Sequence, residues 1–224
     1  MENNNNNEIK AIIIGSSGVG KTNLMNTCAG DDFNPNSTAN MNCTFRQVSF
    51  NIKNKNYIIN LWDTAGQEVY KSISKIFYKK AEIVIFVFDI TKKKSLIEID
   101  DWIKIVKEEL GNNFICGLTG NKIDLFLDQK VSEEEAKEFA KKRGMQCQLV
   151  SAKTSPNKFK EFLKKLITEP ISVNKLKDPK YNDKRDSKSS ITLLTRKRGN
   201  SIKLESGKNG KNDNSFEKEK KCCF

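Results

Sequence analysis

IKAIIIGSSGVGKT, Ile9 to Thr22, joins a short apolar run to a loop of glycines and serines and then to the start of a helical pattern. The run Ala11 to Ile14 has the character of a strand buried on both faces. Gly15, Gly20, Lys21 and Thr22 then satisfy the spacing G-x-x-x-x-G-K-[ST], which average composition produces by accident in only ~1% of chains this long. Each residue type has a physical reason. Glycines let the backbone N–H groups of Gly15, Ser16, Ser17, Gly18, Val19 and Gly20 turn inward around an oxyanion. The following helix, marked by Leu24, Met25 and Cys28, adds unpaired N–H donors and the positive end of its dipole. Lys21 is placed to reach the β- and γ-phosphates of a nucleotide and the Thr22 hydroxyl to ligate Mg²⁺, with Asn23 completing the segment.

The chain's 224 residues can hold one domain of ordinary size plus a tail. A hydrophobic content of 37% is enough for a core, while the mean hydropathy of −0.62 implies that part of the chain lies outside it. The longest apolar run, Ile83 to Phe88, has the length of a strand and falls far short of the ~18 residues of a membrane span. Met1 leads straight into Glu2 and an asparagine tract, so neither a secretory signal nor N-myristoylation is expected. There is no histidine, which removes the commonest general base and metal ligand. Cys28, Cys43, Cys116 and Cys147 lie in apolar stretches without metal-site spacing and read as reduced, buried thiols of a cytosolic protein. The net charge of +12 is unevenly placed: residues 171–224 carry 15 basic and 7 acidic side chains. A basic tail without interleaved aromatics argues against a nucleic-acid-binding face.

From Ile9 the sequence alternates strand-like and helix-like segments. Strands are expected near Ala11–Ile14, Thr44–Ile52, Tyr57–Trp62, Ile83–Ile90, Phe114–Thr119 and Gln146–Val150. Helices are expected near Lys21–Ala29, Tyr70–Lys79, Ile97–Leu110, Ser132–Lys142 and Pro156–Ile167. Ser132 and Glu135 form a capping-box start, and Gly144 suits the stop. Asn54-Lys55-Asn56 reads as a hairpin, which makes one strand antiparallel. The expected fold is α/β, a six-stranded, mostly parallel sheet with helices on both faces. Residues 1–7 read as a disordered asparagine-rich start, 8–170 as the domain, and 171–224 as a flexible basic tail.

Further chemistry falls in loops after strand-like runs, where an open α/β sheet carries its ligand. After Trp62 come Asp63, Thr64, Ala65, Gly66 and Gln67. Asp63 is placed to hold Mg²⁺ through a water, Gly66 to bring its N–H to a γ-phosphate, and Gln67 to orient an attacking water. After the fifth strand come Asn121, Lys122, Ile123 and Asp124. One carboxylate accepts guanine N1–H and the 2-amino group together, whereas adenine N1 would meet it with a lone pair. Ser151, Ala152 and Lys153 end the sixth strand, where the Ala152 N–H can donate to guanine O6. Phe33 is placed to pack edge-on against the base.

In this order and spacing the segments GSSGVGKT, WDTAGQE, NKID and SAK resemble the small GTPases of the Ras superfamily, over roughly Glu8 to Ile167. Within it, Phe88-Asp89-Ile90-Thr91, Val69 to Ile73 and Ile58 to Trp62 resemble the Rab family. The resemblance implies a P-loop G domain that binds GDP or GTP with Mg²⁺ and hydrolyses GTP, with Gln67 and Lys21 catalytic. It implies base binding by Asn121, Lys122, Asp124, Ser151, Ala152 and Lys153, and an effector-facing trio of Phe45, Trp62 and Phe77. Its implied partners are an exchange factor, a GTPase-activating protein, a GDP-dissociation inhibitor, an escort protein and effectors. The implied place is the cytoplasmic face of an intracellular membrane, cycling with cytosol, in vesicle traffic.

Two places need separate reading. The family's first switch carries a threonine that ligates Mg²⁺, and its spacing from Lys21 and Trp62 lands here on Asn40. Asn40 keeps the backbone N–H and offers an amide oxygen to the metal; Thr38 or Thr44 substitutes only if the loop shifts register. The other reading this opens is a GTP-binding scaffold that does not cycle. At the far end, Cys222-Cys223-Phe224 resembles the doubly geranylgeranylated C-C-X ending of Rabs. Two lipid chains supply the two signals that stable anchoring on an anionic membrane needs.

Overall fold

A computed structural model describes residues 7–37, 44–64 and 77–168 of the chain. Six strands, β1 (Asn7–Ile14), β2 (Thr44–Ile52), β3 (Lys55–Asp63), β4 (Ile83–Asp89), β5 (Ile115–Asn121) and β6 (Gln146–Leu149), form one sheet in the order β2-β3-β1-β4-β5-β6. β2 runs antiparallel to β3, and every other neighbouring pair is parallel. The helices are α1 (Lys21–Ala29), α2 (Lys93–Ile97), α3 (Ile99–Leu110), α4 (Glu133–Lys142) and α5 (Pro156–Thr168). The expected helix near Tyr70–Lys79 lies mostly outside the described residues, as do Cys43 and the tail.

The central strands read as unbroken apolar runs because both faces are covered. Ile9, Ala11 and Ile13 of β1 join Leu24, Met25 and Cys28 of α1 and Phe159, Leu163 and Leu166 of α5 in one core layer. Ile12 and Ile14 point the other way, into a layer with Trp102, Ile103 and Val106 of α3 and Ala136 and Ala140 of α4. β4 alternates in the same sense, with Ile83, Ile85 and Val87 on the first face and Val84, Phe86 and Phe88 on the second. Truncating a fully buried ring such as Phe86 to alanine costs about 3–5 kcal/mol at such a site.

Glycines in β5 let neighbours approach. A Cβ on Gly117 would lie 2.7 Å from the Phe162 ring of α5, and one on Gly120 would lie 2.3 Å from Leu149 and 2.7 Å from Phe88.

Helix ends follow the local signals. Ser132 Oγ accepts the Glu135 N–H at 3.1 Å, and α4 closes with Gly144 at φ 69°, where Gly144 N–H donates to Lys141 O and Met145 N–H to Ala140 O. Arg143, beside that end, clamps Asp100 of α3 with two 2.6 Å bonds.

Strand ends move by up to four residues, β1 starting at Asn7 instead of Ala11, and three further details differ from expectation. The hairpin turn is Lys53-Asn54, with φ 49° and 62°, one step before the expected Asn-Lys-Asn; two left-handed residues match the right-handed twist of the flanking strands. The helical region before β5 starts at Lys93, where Ser95 Oγ bonds to Lys92 O at 2.6 Å, and it is divided at Glu98. Cys147, expected buried, is half-buried because β6 is an edge strand paired only with β5. Burial still pushes the Cys28, Cys116 and Cys147 thiols up to about 12, which keeps them protonated at neutral pH.

β1 lies between β3 and β4, so the chain leaves it towards opposite sides of the sheet in succession. The carboxyl end of β1 is therefore a topological switch point, where an open α/β sheet leaves a crevice.

Candidate functional site

The loop from Gly15 to Gly20 occupies that crevice. Gly15 sits so close to β4 that a Cβ would come within 2.1 Å of the Val87 carbonyl. Gly20, in the left-handed region at φ 93°, precedes α1 and would push a Cβ to 2.4 Å from Asn121 Nδ2. Both positions need glycine for space, and Gly20 needs it for its backbone as well.

Lys21 is 5% exposed, and its ammonium donates to Gly15 O at 2.8 Å and Ser16 O at 3.0 Å. The lysine thus lies along the loop it belongs to. The Ser16 hydroxyl donates to Glu98 Oε2 at the junction of α2 and α3. Thr22 Oγ1 donates to Asp63 Oδ2 at 2.5 Å. Asp63 is 2% exposed; burial raises its pKa above the usual carboxylate range, opposed by the Thr22 bond and by Lys21 nearby. Thr64 fixes the end of β3 by donating from Oγ1 to Ile13 O at 2.7 Å. Asn23 lines the same cavity as the loop and ties it to the segment after α1. Its side chain donates to Asn34 O and Ser37 Oγ, each at 3.0 Å, and accepts the Asn34 N–H at 3.2 Å.

The second half of the site comes from the ends of β5 and β6. Asn121 joins three segments: Nδ2 donates to Val19 O at 2.9 Å, and Oδ1 accepts the Ala152 N–H at 3.1 Å. Lys122, at φ 72°, donates to Gly18 O at 2.7 Å and pairs with Asp89 Oδ2 at 2.7 Å. Asp89, wholly buried, accepts the Thr91 N–H and hydroxyl with its other oxygen. Ser151 Oγ donates to Asp124 Oδ1 at 2.6 Å while accepting the N–H groups of Lys153 and Thr154.

A cavity of about 400 Å³ opens between these halves. The loop residues Ser17, Gly18, Gly20, Lys21 and Thr22 line one end with Asp63, and Asn121, Lys122, Asp124, Ala152 and Lys153 line the other, with Phe33 in the wall. Pro35, Ser37 and Leu125 also line it. The sequence reading missed these three; for Leu125 the signal was an apolar residue directly after Asp124. It also missed Asp89 as the partner of Lys122. Gly66, Gln67 and Asn40 lie outside the described residues. Thr22 and Asp63 together present hard oxygen donors to the cavity, a set suited to Mg²⁺. Among the described residues no group of three or more acidic, cysteine or histidine side chains forms a metal cage. One protein carboxylate with substrate phosphates is how Mg²⁺ is usually held.

Outside the cavity, Phe45 stacks on Trp62 with centroids 5.1 Å apart, and Trp62 meets Phe77 at 6.2 Å. Phe45 is 48% exposed, so the cluster is open to solvent. No helix among the described residues is long and apolar enough to cross a membrane.

The sequence model of the Ras family matches residues 10–171. Ras-related protein Rab-2B of Dictyostelium discoideum is 37% identical over 168 residues, 72% of this chain and 83% of that protein. Ras-related protein Rab-13 of Bos taurus is 38% identical over 148 residues, 66% of this chain and 73% of its own. GTP-binding protein ypt3 of Schizosaccharomyces pombe is 35% identical over 164 residues, 73% and 76% of the two chains.

Proposed function

The chain belongs to the Ras family and is a small GTPase of the Rab type, and on that premise we propose that it is a GDP/GTP switch of intracellular membrane traffic. The observation that carries the nucleotide reading is the shared cavity onto which a phosphate-type loop and the Asp124 carboxylate both open. The loop N–H groups and the start of α1 take the phosphates, while Asp124 and the Ala152 N–H take the guanine edge and Phe33 flanks the ring. Asn121 and Ser151 act on the base through their neighbours: Asn121 holds Ala152 against the phosphate loop, and Ser151 orients Asp124.

Hydrolysis is phosphoryl transfer to water. Lys21 leaves its carbonyl partners to meet the β- and γ-phosphates, and Gln67 orients the attacking water. Thr22 and Asp63, the latter through a water, would hold Mg²⁺, which when bound neutralises charge on the phosphates. Intrinsic turnover is slow, on the order of 10⁻⁴ s⁻¹, because an activating protein has to supply an arginine. Ordering of the switch segments by the γ-phosphate is the signal. Effectors read it at Phe45, Trp62 and Phe77, and isoprenoids on Cys222 and Cys223 hold the protein on the cytoplasmic face of a membrane. An exchange factor, a GDP-dissociation inhibitor and an escort protein complete the cycle.

The test is to denature the purified protein and identify the nucleotide released. GDP or GTP is expected at close to one per chain; an adenine nucleotide overturns the reading.

A further inference from the structure

Two buried oxygens beside the site have no hydrogen-bond partner, Asp63 Oδ1 and Thr44 Oγ1. The register of β2 on β3 sets Thr44 directly opposite Asp63. Directly opposed residues of an antiparallel pair put their side chains on one face, with Cβ atoms about 4.5–5.5 Å apart. That face is the one covered by α1: Val48 and Phe50 continue the alternation from Thr44, Ile59 and Leu61 continue it from Asp63, and all four belong to the α1-side layer. One of the two orphans is a hydroxyl able to donate, and the other is a carboxylate oxygen that accepts. The two are not bonded to one another in this structure, yet buried polar atoms are rarely left unmade, and here each is what the other lacks. The second carboxylate oxygen, Oδ2, is already turned to Thr22.

We propose that Thr44 is a positioning residue of the metal site: in the nucleotide-loaded protein its hydroxyl turns to donate to Asp63 Oδ1 and holds the carboxylate with Oδ2 towards Thr22 and the hydration shell of Mg²⁺. The inference rests on the nucleotide–Mg²⁺ reading above. It also separates this support from the switch. Thr44 stands on a strand paired with β3 as far as Ile52, so its hydroxyl serves the metal whether two phosphates or three are bound. A threonine at position 40 would serve the triphosphate state first. Here asparagine stands at 40, and the strand supplies a hydroxyl that does not depend on the loop.

The experiment uses the full chain, loaded with fluorescent GDP or with a non-hydrolysable GTP analogue, and follows nucleotide release against free Mg²⁺. Thr44→Val keeps the β-branched shape and removes the hydroxyl; Thr44→Ser keeps the hydroxyl. Thr44→Val should raise the Mg²⁺ concentration for half-maximal slowing by about tenfold, the worth of one buried hydrogen bond to a charged group. The shift should be equal in both nucleotide states, with Thr44→Ser close to the unmutated protein. An unmoved midpoint in Thr44→Val, an equal shift in Thr44→Ser, or a shift confined to the triphosphate state overturns the proposal. Release from the unmutated protein that ignores Mg²⁺ refutes the metal reading itself, a distinct result. Should Thr44→Val not fold, the Thr44 hydroxyl proton of the unmutated protein decides by NMR. Slow exchange with solvent is expected, and fast exchange overturns the proposal.

Discussion

Ser151 donates its hydroxyl to Asp124 Oδ1 at 2.6 Å from the end of the neighbouring strand. The bond fixes the plane of the carboxylate that faces the cavity, and Ser151 is itself held by the N–H groups of Lys153 and Thr154. On the proposed reading, base selection is a property of two loops. Asp124→Ala should lower GDP and GTP affinity by orders of magnitude. Ser151→Ala should lower it by about ten- to a hundredfold, since the carboxylate loses one hydrogen bond worth roughly 1.5–3 kcal/mol. Competition of GDP and ADP for the unmutated protein is the check, and equal affinities would falsify the assignment.

Asn121 gives a prediction of a different kind. Its amide satisfies Val19 O and the Ala152 N–H at once, so Asn121→Ala orphans two backbone groups in a buried place. A loss of about 1–3 kcal/mol per group is expected, read as a fall in the thermal midpoint of the nucleotide-loaded protein together with faster GDP release. Faster release at an unchanged midpoint would mean that Asn121 acts on the base directly.

Gln67→Leu should slow GTP turnover and leave nucleotide affinity intact, because water positioning is lost and phosphate contacts are not. Single-turnover hydrolysis measured beside equilibrium binding separates the two. Turnover at the normal rate would remove Gln67 from the mechanism.

Asn40→Thr should tighten the triphosphate state and reduce hydrogen exchange across residues 34–44. An asparagine oxygen sits one atom further from the backbone than a threonine hydroxyl. A coupling weaker by only ~1.4 kcal/mol lowers the ordered-to-disordered ratio of the switch tenfold. If the substitution changes neither exchange nor turnover, asparagine is an adequate replacement.

For the anchor, mass spectrometry of protein from its own cells should find an isoprenoid on each of Cys222 and Cys223. Replacing both by serine should move the membrane-bound pool into the soluble fraction. Unmodified cysteines on membrane-bound protein would refute the assignment.

The strands were legible where burial is two-sided. In β4, Ile83 to Phe88 fills both layers and leaves no polar alternation to confuse the reading. Where the determinant is a backbone angle, the sequence is less explicit: Lys53 takes a left-handed conformation that nothing in a lysine announces. The start of α2 rests on the Ser95 hydroxyl, which makes no mark on apolar periodicity. In the site, residues from separate motifs meet at one cavity because strand ends are fixed by the sheet. Motif spacing did not say which atom each side chain meets. Asn121 reads as a base ligand by its motif, yet its amide is committed to two backbone groups. Asp89 reads as part of a family signature, yet it holds the Lys122 ammonium that reaches Gly18. Those are tertiary facts, set by which loops the fold places side by side.

Gly117 and Phe162 occupy a single volume between them, the missing side chain of one being the ring of the other. A lineage descending from this sequence cannot enlarge residue 117 while Phe162 stays, since even a methyl would need space that the ring fills. Nor can it trim Phe162 without opening a void against β5. The two sites should therefore drift as a couple, with bulk at 117 accompanied by a small residue at 162. Because β5 ends at Asn121, the couple ties the inherited shape of α5 to the strand that carries the Asn121–Asp124 loop.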